Sequence, residues 1–325
     1  MTDITLWNGN TVPRLGMGCW AIGGEFWAGE QALGWGRVDD GESIAAMRRA
    51  VELGIRCFDT ADVYGCGHSE ELVTEALSVF GDDILVSTKL GNGFDPVSKQ
   101  ITGPVDDAAG VRAAVEFSLK RLRRERIDLL FFHINEHPVD ASQAVFETLE
   151  ALHREGKVDA FGWSTDDPDS AAHFASMDGF AAIQHDMNLF NPATSILPVL
   201  DTYDLVSMAR QPLAMGLLSG RFRPGQRMFE IADIRARGPQ WLSYFVDGAP
   251  NPEMLDTVEA VRGLLASDGR SVVQGALAWI WAKSPRVMPI PGFRTVNQVE
   301  ENVAALEKGP LSAETMNAID AVLNR

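Results

Sequence analysis

Eight short apolar runs alternate along the chain with stretches in which apolar residues recur at helical spacing. The runs cover residues 14–19, 56–60, 84–89, 127–133, 160–164, 181–187, 205–209 and 287–291. Continuous apolar character is typical of strands that are buried on both faces, as in parallel sheets. Between the runs, apolar residues follow the period of a helix, as at Val111, Val115 and Leu119. This order predicts an α/β protein in which eight parallel strands alternate with helices.

Polar side chains at the ends of successive runs favour a closed barrel over an open sheet. In a barrel the carboxyl ends of all strands converge on one mouth, whereas in an open sheet they lie along an edge. The side chains that would converge are Asp59, Lys89, His133, Ser164, Gln184 and Arg210. We therefore predict a (β/α)8 TIM barrel. Because no linker or low-complexity segment divides the chain, residues 1–325 are predicted to form a single domain.

Two segments lie outside this alternation. Residues 4–13 are expected to form a hairpin with Asn8-Gly9 at its turn, and this hairpin would cap the bottom of the barrel. Residues 211–251 form a long connection after the seventh run and contain Trp241 and Phe245. A loop of this length in a compact domain is usually functional or disordered, and its aromatic side chains favour a lid over a substrate site.

Composition and charge limit the classes of partner. The net charge of −17 argues against nucleic acid as a partner. No run is long enough to span a membrane, and the first residues do not resemble a signal peptide. The cysteines Cys19, Cys57 and Cys66 are odd in number and lack metal-ligand spacing, so reduced thiols are expected. We therefore expect a cytoplasmic protein, a monomer, without a metal site.

Four of the strand-end and loop residues form a coherent acid catalyst. Tyrosine has an unperturbed pKa near 10, so a phenol gives up its proton reluctantly at neutral pH. An ammonium such as that of Lys89 would lower the pKa of Tyr64, and Asp59 would hold the ammonium in place. His133 could hydrogen-bond a substrate oxygen. The set predicts a general acid directed at a carbonyl group that becomes an alkoxide.

The same segments resemble the aldo-keto reductase family, in particular its bacterial branches. The residues that carry the resemblance are Phe-Asp-Thr-Ala-Asp-Val-Tyr-Gly at 58–65, His-Ser-Glu-Glu at 68–71, Ser-Thr-Lys at 87–89 and Asp-Leu-Leu-Phe-Phe-His at 128–133. The resemblance implies a catalytic tetrad of Asp59, Tyr64, Lys89 and His133. His137 is a rival for the histidine role, but His133 has the family's spacing from the preceding aspartate.

The resemblance also implies that the cofactor is NADPH/NADP+ and that the substrate is a small-molecule carbonyl compound. Ser164, Thr165 and Gln184 would hold the nicotinamide carboxamide. A small-residue loop would fold over the pyrophosphate, and a later segment would hold the adenosine. The loop residues are Leu213, Gly216, Leu218, Ser219, Gly220 and Arg221, and those of the adenosine segment are Gly292, Arg294, Gln298, Glu301 and Asn302. Arg294 at a helix N-terminus suits a 2′-phosphate.

Three further features of the sequence lie near the predicted site. Gly16-Met-Gly18 fits part of a dinucleotide fingerprint, but the helix that this motif requires does not follow, so we reject it. Trp20 is assigned to the cofactor site, although the Trp-rich stretch around it also suits a substrate wall or the core. Thr165 stands where the family usually has Asn.

Arg210 stands where the family usually has an aromatic residue that stacks on the nicotinamide. We predict that the Arg210 guanidinium replaces this ring and disfavours NADP+ relative to NADPH. Alternatively, Arg210 turns outward to pair with a carboxylate, or it reaches into the pocket to bind an acidic substrate.

These residues predict an NADPH-dependent oxidoreductase that reduces an aldehyde or ketone, such as a keto-sugar or another bulky carbonyl compound, to an alcohol. Tyr64 would supply the proton and the nicotinamide the hydride. One alternative is a reductase-like nucleotide sensor or regulatory subunit with little catalysis, which would predict a gap in the tetrad. Another is a barrel hydrolase or lyase, which would need a cluster of metal ligands or a Schiff-base lysine.

Overall fold

A computed structural model describes residues 3–227 and 229–325. Its strands, numbered along the chain, are β1 (Asp3–Thr5), β2 (Thr11–Pro13), β3 (Met17–Gly18), β4 (Trp27–Ala28), β5 (Gln31–Ala32), β6 (Cys57–Asp59), β7 (Leu85–Leu90), β8 (Asn92–Asp95), β9 (Gln100–Pro104), β10 (Ile127–Phe132), β11 (Val158–Ser164), β12 (Phe180–Asp186), β13 (Val206–Arg210), β14 (Phe245–Val246), β15 (Ala249–Pro250) and β16 (Val287–Pro289). The α-helices are α1 (Asp40–Glu52), α2 (His68–Leu77), α3 (Ala108–Leu122), α4 (Val139–Arg154), α5 (Pro168–Phe174), α6 (Leu197–Tyr203), α7 (Pro252–Leu265), α8 (Val272–Lys283), α9 (Val296–Lys308) and α10 (Ala313–Val322).

Eight parallel strands form the barrel in the order β3, β6, β7, β10, β11, β12, β13 and β16. The barrel closes where Gly18 forms a parallel bridge with Gly292, and the Gly18 amide donates to the Pro291 carbonyl at 3.0 Å. A Cβ atom at position 18 would lie 2.7 Å from the Ile290 carbonyl oxygen, so the first and last strands can meet only because this residue is glycine. The predicted (β/α)8 barrel is confirmed.

The helices cover the outside of the barrel because each of them carries an apolar face. Between strands and helices, one apolar core extends from Leu15 to Ile319. Its aromatic part includes Phe146, which stacks on Phe174 with ring centroids 4.1 Å apart. Helix α8 starts with a capping box, in which Ser271 and Gln274 each accept the other's backbone amide.

The predicted N-terminal hairpin is present. Strands β1 and β2 pair antiparallel, and Gly9 takes the positive φ of +81° that the turn needs. Leu6 is buried in the same apolar cluster as Leu129 and Met208 of the barrel strands. The Trp7 indole donates to Asp159 at the start of β11, at 3.1 Å. The hairpin therefore closes the amino-terminal end of the barrel.

A small second sheet, which we did not predict, stands beside the opposite end of the barrel. Its strands lie in the order β5, β4, β9 and β8. A small apolar cluster beside it contains Phe26, Val63 and Tyr64, and Ile101 of β9 packs against this cluster. The sheet thus forms part of the wall around the mouth.

The long connection after β13 folds back over the same mouth. A short 3-10 helix spans Ala214–Ser219, near the start of the connection, and the antiparallel pair β14 and β15 lies near the end of the connection. We call residues 211–251 the lid; Met228 lies outside the described residues. Among the residues that the structure describes, no helix is both long enough and apolar enough to cross a membrane.

Candidate active site

A cavity of about 1390 Å³ opens at the carboxyl ends of the barrel strands. Drug-sized ligands occupy pockets of about 300–1,000 Å³, so this cavity has room for a larger ligand or for two ligands together. Five of the six strand-end residues that we expected to converge line it: Asp59, His133, Ser164, Gln184 and Arg210. The sixth, Lys89, is fully buried and bonded to Asp59.

A buried ion pair lies beneath the ring of Tyr64. The Lys89 ammonium donates to Asp59 Oδ2 at 2.5 Å and to the Thr60 carbonyl at 2.7 Å. It lies 4.9 Å from the centroid of the Tyr64 ring. Burial disfavours the ammonium, but Asp59 and Tyr64 together outweigh this effect, so the pKa of Lys89 is raised. Lys89 is therefore a permanent positive charge directed at the phenol.

The Asp59 carboxylate is held by donors from two other barrel strands, β7 and β12. Besides Lys89, Ser87 Oγ and Gln184 Nε2 each donate to Asp59 Oδ1 at 2.8 Å. Because buried carboxylates need such donors, the pair is fixed rather than free to turn. Ser164 and Gln184 are register partners on β11 and β12, so the ends of the fifth and sixth barrel strands present these two side chains next to each other.

The environment of Tyr64 differs from the expectation in one respect. Burial raises the pKa of the phenol above its usual value, and Lys89 offsets only part of that rise. The predicted effect of the ammonium has the expected sign, but desolvation in this apolar surrounding is the larger effect. Tyr64 consequently keeps its proton at neutral pH, which suits a proton donor.

His133 and not His137 belongs to the cavity. The His133 ring meets the Tyr64 ring edge-on, with centroids 5.8 Å apart. Burial, followed by the charges of Lys89 and Arg210, holds the pKa of His133 well below its usual range. The imidazole is therefore neutral at physiological pH. His137 contacts Ser142 at 2.7 Å and Asp106 at 3.3 Å, away from the cavity lining.

Most of the residues predicted to bind the cofactor meet in the other part of the cavity. The lining includes Leu213, Gly216, Ser219, Arg221, Gly292, Arg294, Gln298, Glu301 and Asn302. Three others, Thr165, Leu218 and Gly220, lie outside the lining among the described residues. Thr165 is buried and its hydroxyl donates to the Asn135 carbonyl, Leu218 packs in the core, and the Gly220 carbonyl accepts from Arg262.

Two buried polar atoms on this wall have hydrogen-bonding capacity to spare. Ser219 Oγ and Asn302 Nδ2 find no hydrogen-bond partner within residues 3–227 and 229–325. Buried polar groups are nearly always bonded, so these two are available to a ligand. Gly216, with φ of +94°, exposes its backbone beside the guanidinium groups of Arg221 and Arg235. The surroundings fit a phosphorylated ligand.

Arg235 of the lid is a site residue that the sequence did not reveal. It is buried, forms two hydrogen bonds with Asp233 at 2.7 and 2.9 Å, and lies 4.4 Å over the Trp35 ring. Partial burial and the nearby Arg235 lower the pKa of Arg221, and burial is also the main cause of a lowered pKa at Arg294. All three arginines line the cavity, and because Asp233 offsets the charge of Arg235, Arg221 and Arg294 are the side chains that would attract an anion in a protein of net charge −17.

Arg294 starts the segment that leads into α9. Its backbone amide donates to Gln298 Oε1 at 2.7 Å, and its guanidinium donates to the carbonyls of Trp35 and Arg37. The side chain thus stays half-buried on the cavity wall, near the helix N-terminus, as the 2′-phosphate assignment requires.

Arg210 pairs with a carboxylate that we did not predict. Its guanidinium donates to Asp166 Oδ2 just after the fifth barrel strand. Asp186, its register partner on β12, accepts from Tyr244 of the lid at 3.1 Å. Asp166, Asp186 and Tyr244 all line the cavity. Arg210 does pair with a carboxylate, as one alternative expected, but it does not turn outward, because both Arg210 and Asp166 line the cavity.

The catalytic end of the cavity combines aromatic and uncharged polar side chains. Trp20 stacks on Tyr64 with ring centroids 5.9 Å apart, and its indole donates to the Leu33 carbonyl. It therefore lies beside the acid rather than among the phosphate-binding residues. Asn92 and Gln240 line the cavity, and so does Trp241, of which 56% is exposed.

This arrangement fits one class of protein: a barrel oxidoreductase whose cavity has room for a dinucleotide and a substrate together. Residues 14–324 match the model of the aldo/keto reductase family. The chain belongs to that family and is an NADP-dependent oxidoreductase.

Individual relatives agree with the family match. An aldo-keto reductase of Bacillus subtilis is 29% identical over 97% of this chain and 91% of its own. A rice protein named "Probable voltage-gated potassium channel subunit beta" is 30% identical over 97% of this chain and 94% of its own. Among solved structures, a glycerol dehydrogenase from Gluconobacter oxydans is 32% identical, with a TM-score of 0.82, and the match covers 100% of this chain and 95% of that one.

Proposed function

We propose that this reductase converts an aldehyde or ketone to the alcohol with Tyr64 as the proton donor. The observation that carries the proposal is the buried Lys89–Asp59 pair beneath the Tyr64 ring, with His133 across from it. All four groups meet at one end of the cavity. A neutral phenol beside an ammonium can protonate a developing alkoxide and leave a phenolate that the ammonium stabilises.

Each member of the tetrad has a separate task in this proposal. Bound NADPH would supply the hydride and Tyr64 the proton, so one carbonyl, one hydride and one proton give one alcohol and leave NADP+. The neutral His133 orients the substrate oxygen by a hydrogen bond and does not compete as the acid. Lys89, which Asp59 holds in place, stabilises the phenolate until solvent returns its proton.

The cofactor residues in the proposal are those that line the cavity. Ser164 and Gln184 would hold the carboxamide, and Arg221 together with Arg235 would meet the pyrophosphate. Arg294 would bind the 2′-phosphate, since a guanidinium suits that dianion. The unpartnered Ser219 and Asn302 side chains support a polar ligand along this wall.

We further propose that the substrate is a hydroxylated carbonyl compound such as a keto-sugar or another bulky polar carbonyl. Aromatic faces of Trp20 and Trp241 suit the apolar face of such a molecule, and Asn92 and Gln240 suit its hydroxyl groups. The similar Gluconobacter protein is named for dehydrogenation of glycerol, a polyol, which supports the same chemical class.

The proposal places the protein in the cytoplasm as a monomer with residues 1–325 in a single domain. Cys19, Cys57 and Cys66 are free and buried, which suits a reducing compartment. One continuous core that includes both early and late residues supports the single domain. Size-exclusion chromatography with light scattering tests the oligomeric state.

The direct test is consumption of NADPH with a panel of simple aldehydes, keto-sugars and bulky ketones. We expect turnover, with the highest kcat/KM among hydroxylated carbonyls. Preference for unsubstituted apolar aldehydes would contradict the substrate class only. Tight NADPH binding without turnover of any carbonyl would contradict the enzymatic proposal and favour a nucleotide sensor.

A further inference from the structure

The charge of Arg210 is compensated within the protein, and this changes what the residue does to the cofactor. Its guanidinium donates to Asp166 Oδ2, and the two side chains are only 21% and 37% exposed. Asp166 is itself fixed by two hydrogen bonds. Its Oδ1 accepts one from the backbone amide of Asp186 at 2.7 Å, and its Oδ2 accepts one from the side-chain Nδ2 of Asn135 at 3.2 Å. The pair is therefore a built contact and not two mobile surface charges.

A second carboxylate lies beside this pair. Asp186 faces Arg210 in the register of β12 and β13. Its oxygens accept hydrogen bonds from Asn188 at 3.1 Å, Asn191 at 3.2 Å and Tyr244 at 3.1 Å. Burial raises the pKa of Asp186, and the charge of Arg210 together with the hydrogen bonds from Asn191 and Tyr244 offsets only part of that rise. Burial opposes ionisation of Asp166, but Arg210 and the Asp186 amide outweigh it and lower the pKa of Asp166, so the Arg210–Asp166 pair carries no net charge.

The Arg210–Asp166 pair lies within electrostatic reach of the reaction centre. The charge of Arg210 contributes to the environment of both Tyr64 and His133. Hydride transfer requires the nicotinamide beside a carbonyl whose oxygen contacts Tyr64. A nicotinamide in that position experiences the charges of the pair, and the oxidised ring carries one positive charge that the reduced ring lacks.

We propose that Asp166 is a positioning residue that cancels the repulsion between Arg210 and oxidised nicotinamide and so sets the relative affinity for NADP+ and NADPH. The inference rests on the proposed function. It reverses the sequence-based prediction that Arg210 disfavours NADP+, because that prediction treated the guanidinium as uncompensated. The site consequently accepts both redox forms, and the enzyme can run in either direction according to the supply of alcohol and carbonyl.

The test is the ratio of the dissociation constants for NADP+ and NADPH, measured by calorimetry and by quenching of tryptophan fluorescence. Asp166→Asn removes one negative charge and keeps the side-chain shape. We expect the ratio, NADP+ over NADPH, to rise about ten- to a hundredfold, the effect of one charge several ångströms away at an effective dielectric constant of about 20. Arg210→Met should lower the ratio, and the double variant should return it towards the wild-type value.

Glu136→Gln is the matched control, because Glu136 is an exposed acid on the rim of the same cavity. Solvent screens its charge, so the ratio should not change. If Asp166→Asn weakens both nucleotides equally, or if Glu136→Gln changes the ratio as much, the inference is wrong. If Asp166→Asn does not fold, Arg210→Met takes its place: an unchanged ratio of the NADP+ and NADPH dissociation constants in that variant would also contradict the inference. A wild-type protein that binds neither nucleotide would overturn the proposed function and, with it, this inference.

Discussion

Arg294 links the cofactor site to the segment before the first helix. Its guanidinium donates to the Trp35 and Arg37 carbonyls while the side chain lines the cavity. The same group can therefore hold the wall and contact a phosphate. A purely structural role and a phosphate-binding role predict different effects on two cofactors that differ only in the 2′-phosphate.

Arg294→Ala should weaken NADPH binding by about 1.5–3 kcal/mol, because a charge-assisted contact to the 2′-phosphate is lost. NADH binding should stay within a factor of about three, a difference of well under 1 kcal/mol. Calorimetric titration with both cofactors measures this. Arg286→Ala, which removes a surface arginine paired with Asp201 and Asp204, is the control. Equal weakening of both cofactors would show that Arg294 acts only on the wall.

The sequence predicted the positions of site residues well where short motifs along the chain contain them. The spacing of Asp59, Tyr64, Lys89 and His133 placed them at the ends of neighbouring strands or in the loops that follow, and the structure brings them together. Asp166 and Arg235 escaped prediction for the opposite reason. Each is an ordinary loop residue in sequence, and only tertiary packing brings it to Arg210 or to Trp35.

At the level of secondary-structure elements, the lid is held to the barrel by a polar contact. Tyr244 donates to Asp186 and accepts from Asn188 at 2.8 Å, so lid residues 211–251 are joined to the end of β12. A lid that covers a cofactor must open for exchange, and the strength of this contact limits how often it opens.

Tyr244→Phe removes both hydrogen bonds and keeps the ring. We expect a loss of about 1 kcal/mol of local stability, seen as about fivefold faster amide exchange in residues 211–251. The KM for NADPH should rise more than kcat falls. Tyr203→Phe, at a half-exposed tyrosine at the end of α6, is the control. Unchanged exchange in the lid would show that apolar packing alone holds it.

The eight barrel strands were predictable because each is a continuous apolar run, although β3 covers only Met17–Gly18 of the predicted 14–19. The second sheet was not predictable. Strands β4 and β5 have two residues each, too few for an alternating pattern to be recognised. The lid has no periodic pattern, so its course depends on contacts such as Arg235 with Asp233.

The molecule as a whole contains a buried neutral histidine whose titration affects folding. His185 is fully buried, bonded to Ser207 at 2.7 Å, and burial lowers its pKa to about 4. In the unfolded chain the pKa is near 6.5. The unfolded state therefore takes up a proton first as pH falls, and the stability that neutral His185 contributes above pH 6.5 is lost between about pH 6.5 and pH 4.

When the pH falls from 7 to 4, the free energy of unfolding should decrease in both proteins. The decrease should be about 3 kcal/mol smaller in His185→Asn than in the wild type. Urea unfolding at several pH values measures the free energy of unfolding, and comparison of the two proteins cancels the titration of shared groups. His173→Asn, at an exposed histidine, should follow the wild type. Parallel curves for wild type and His185→Asn would contradict the assignment.

The most direct test of the central claim is Tyr64→Phe, studied with the best carbonyl substrate of the panel. NADPH affinity should remain close to that of the wild type, because the phenol acts on the substrate oxygen. Turnover should fall about 10²–10⁴-fold, the usual contribution of a general acid. Near wild-type turnover in Tyr64→Phe, with NADPH bound normally, would show that His133 or water donates the proton and that the assigned acid is wrong.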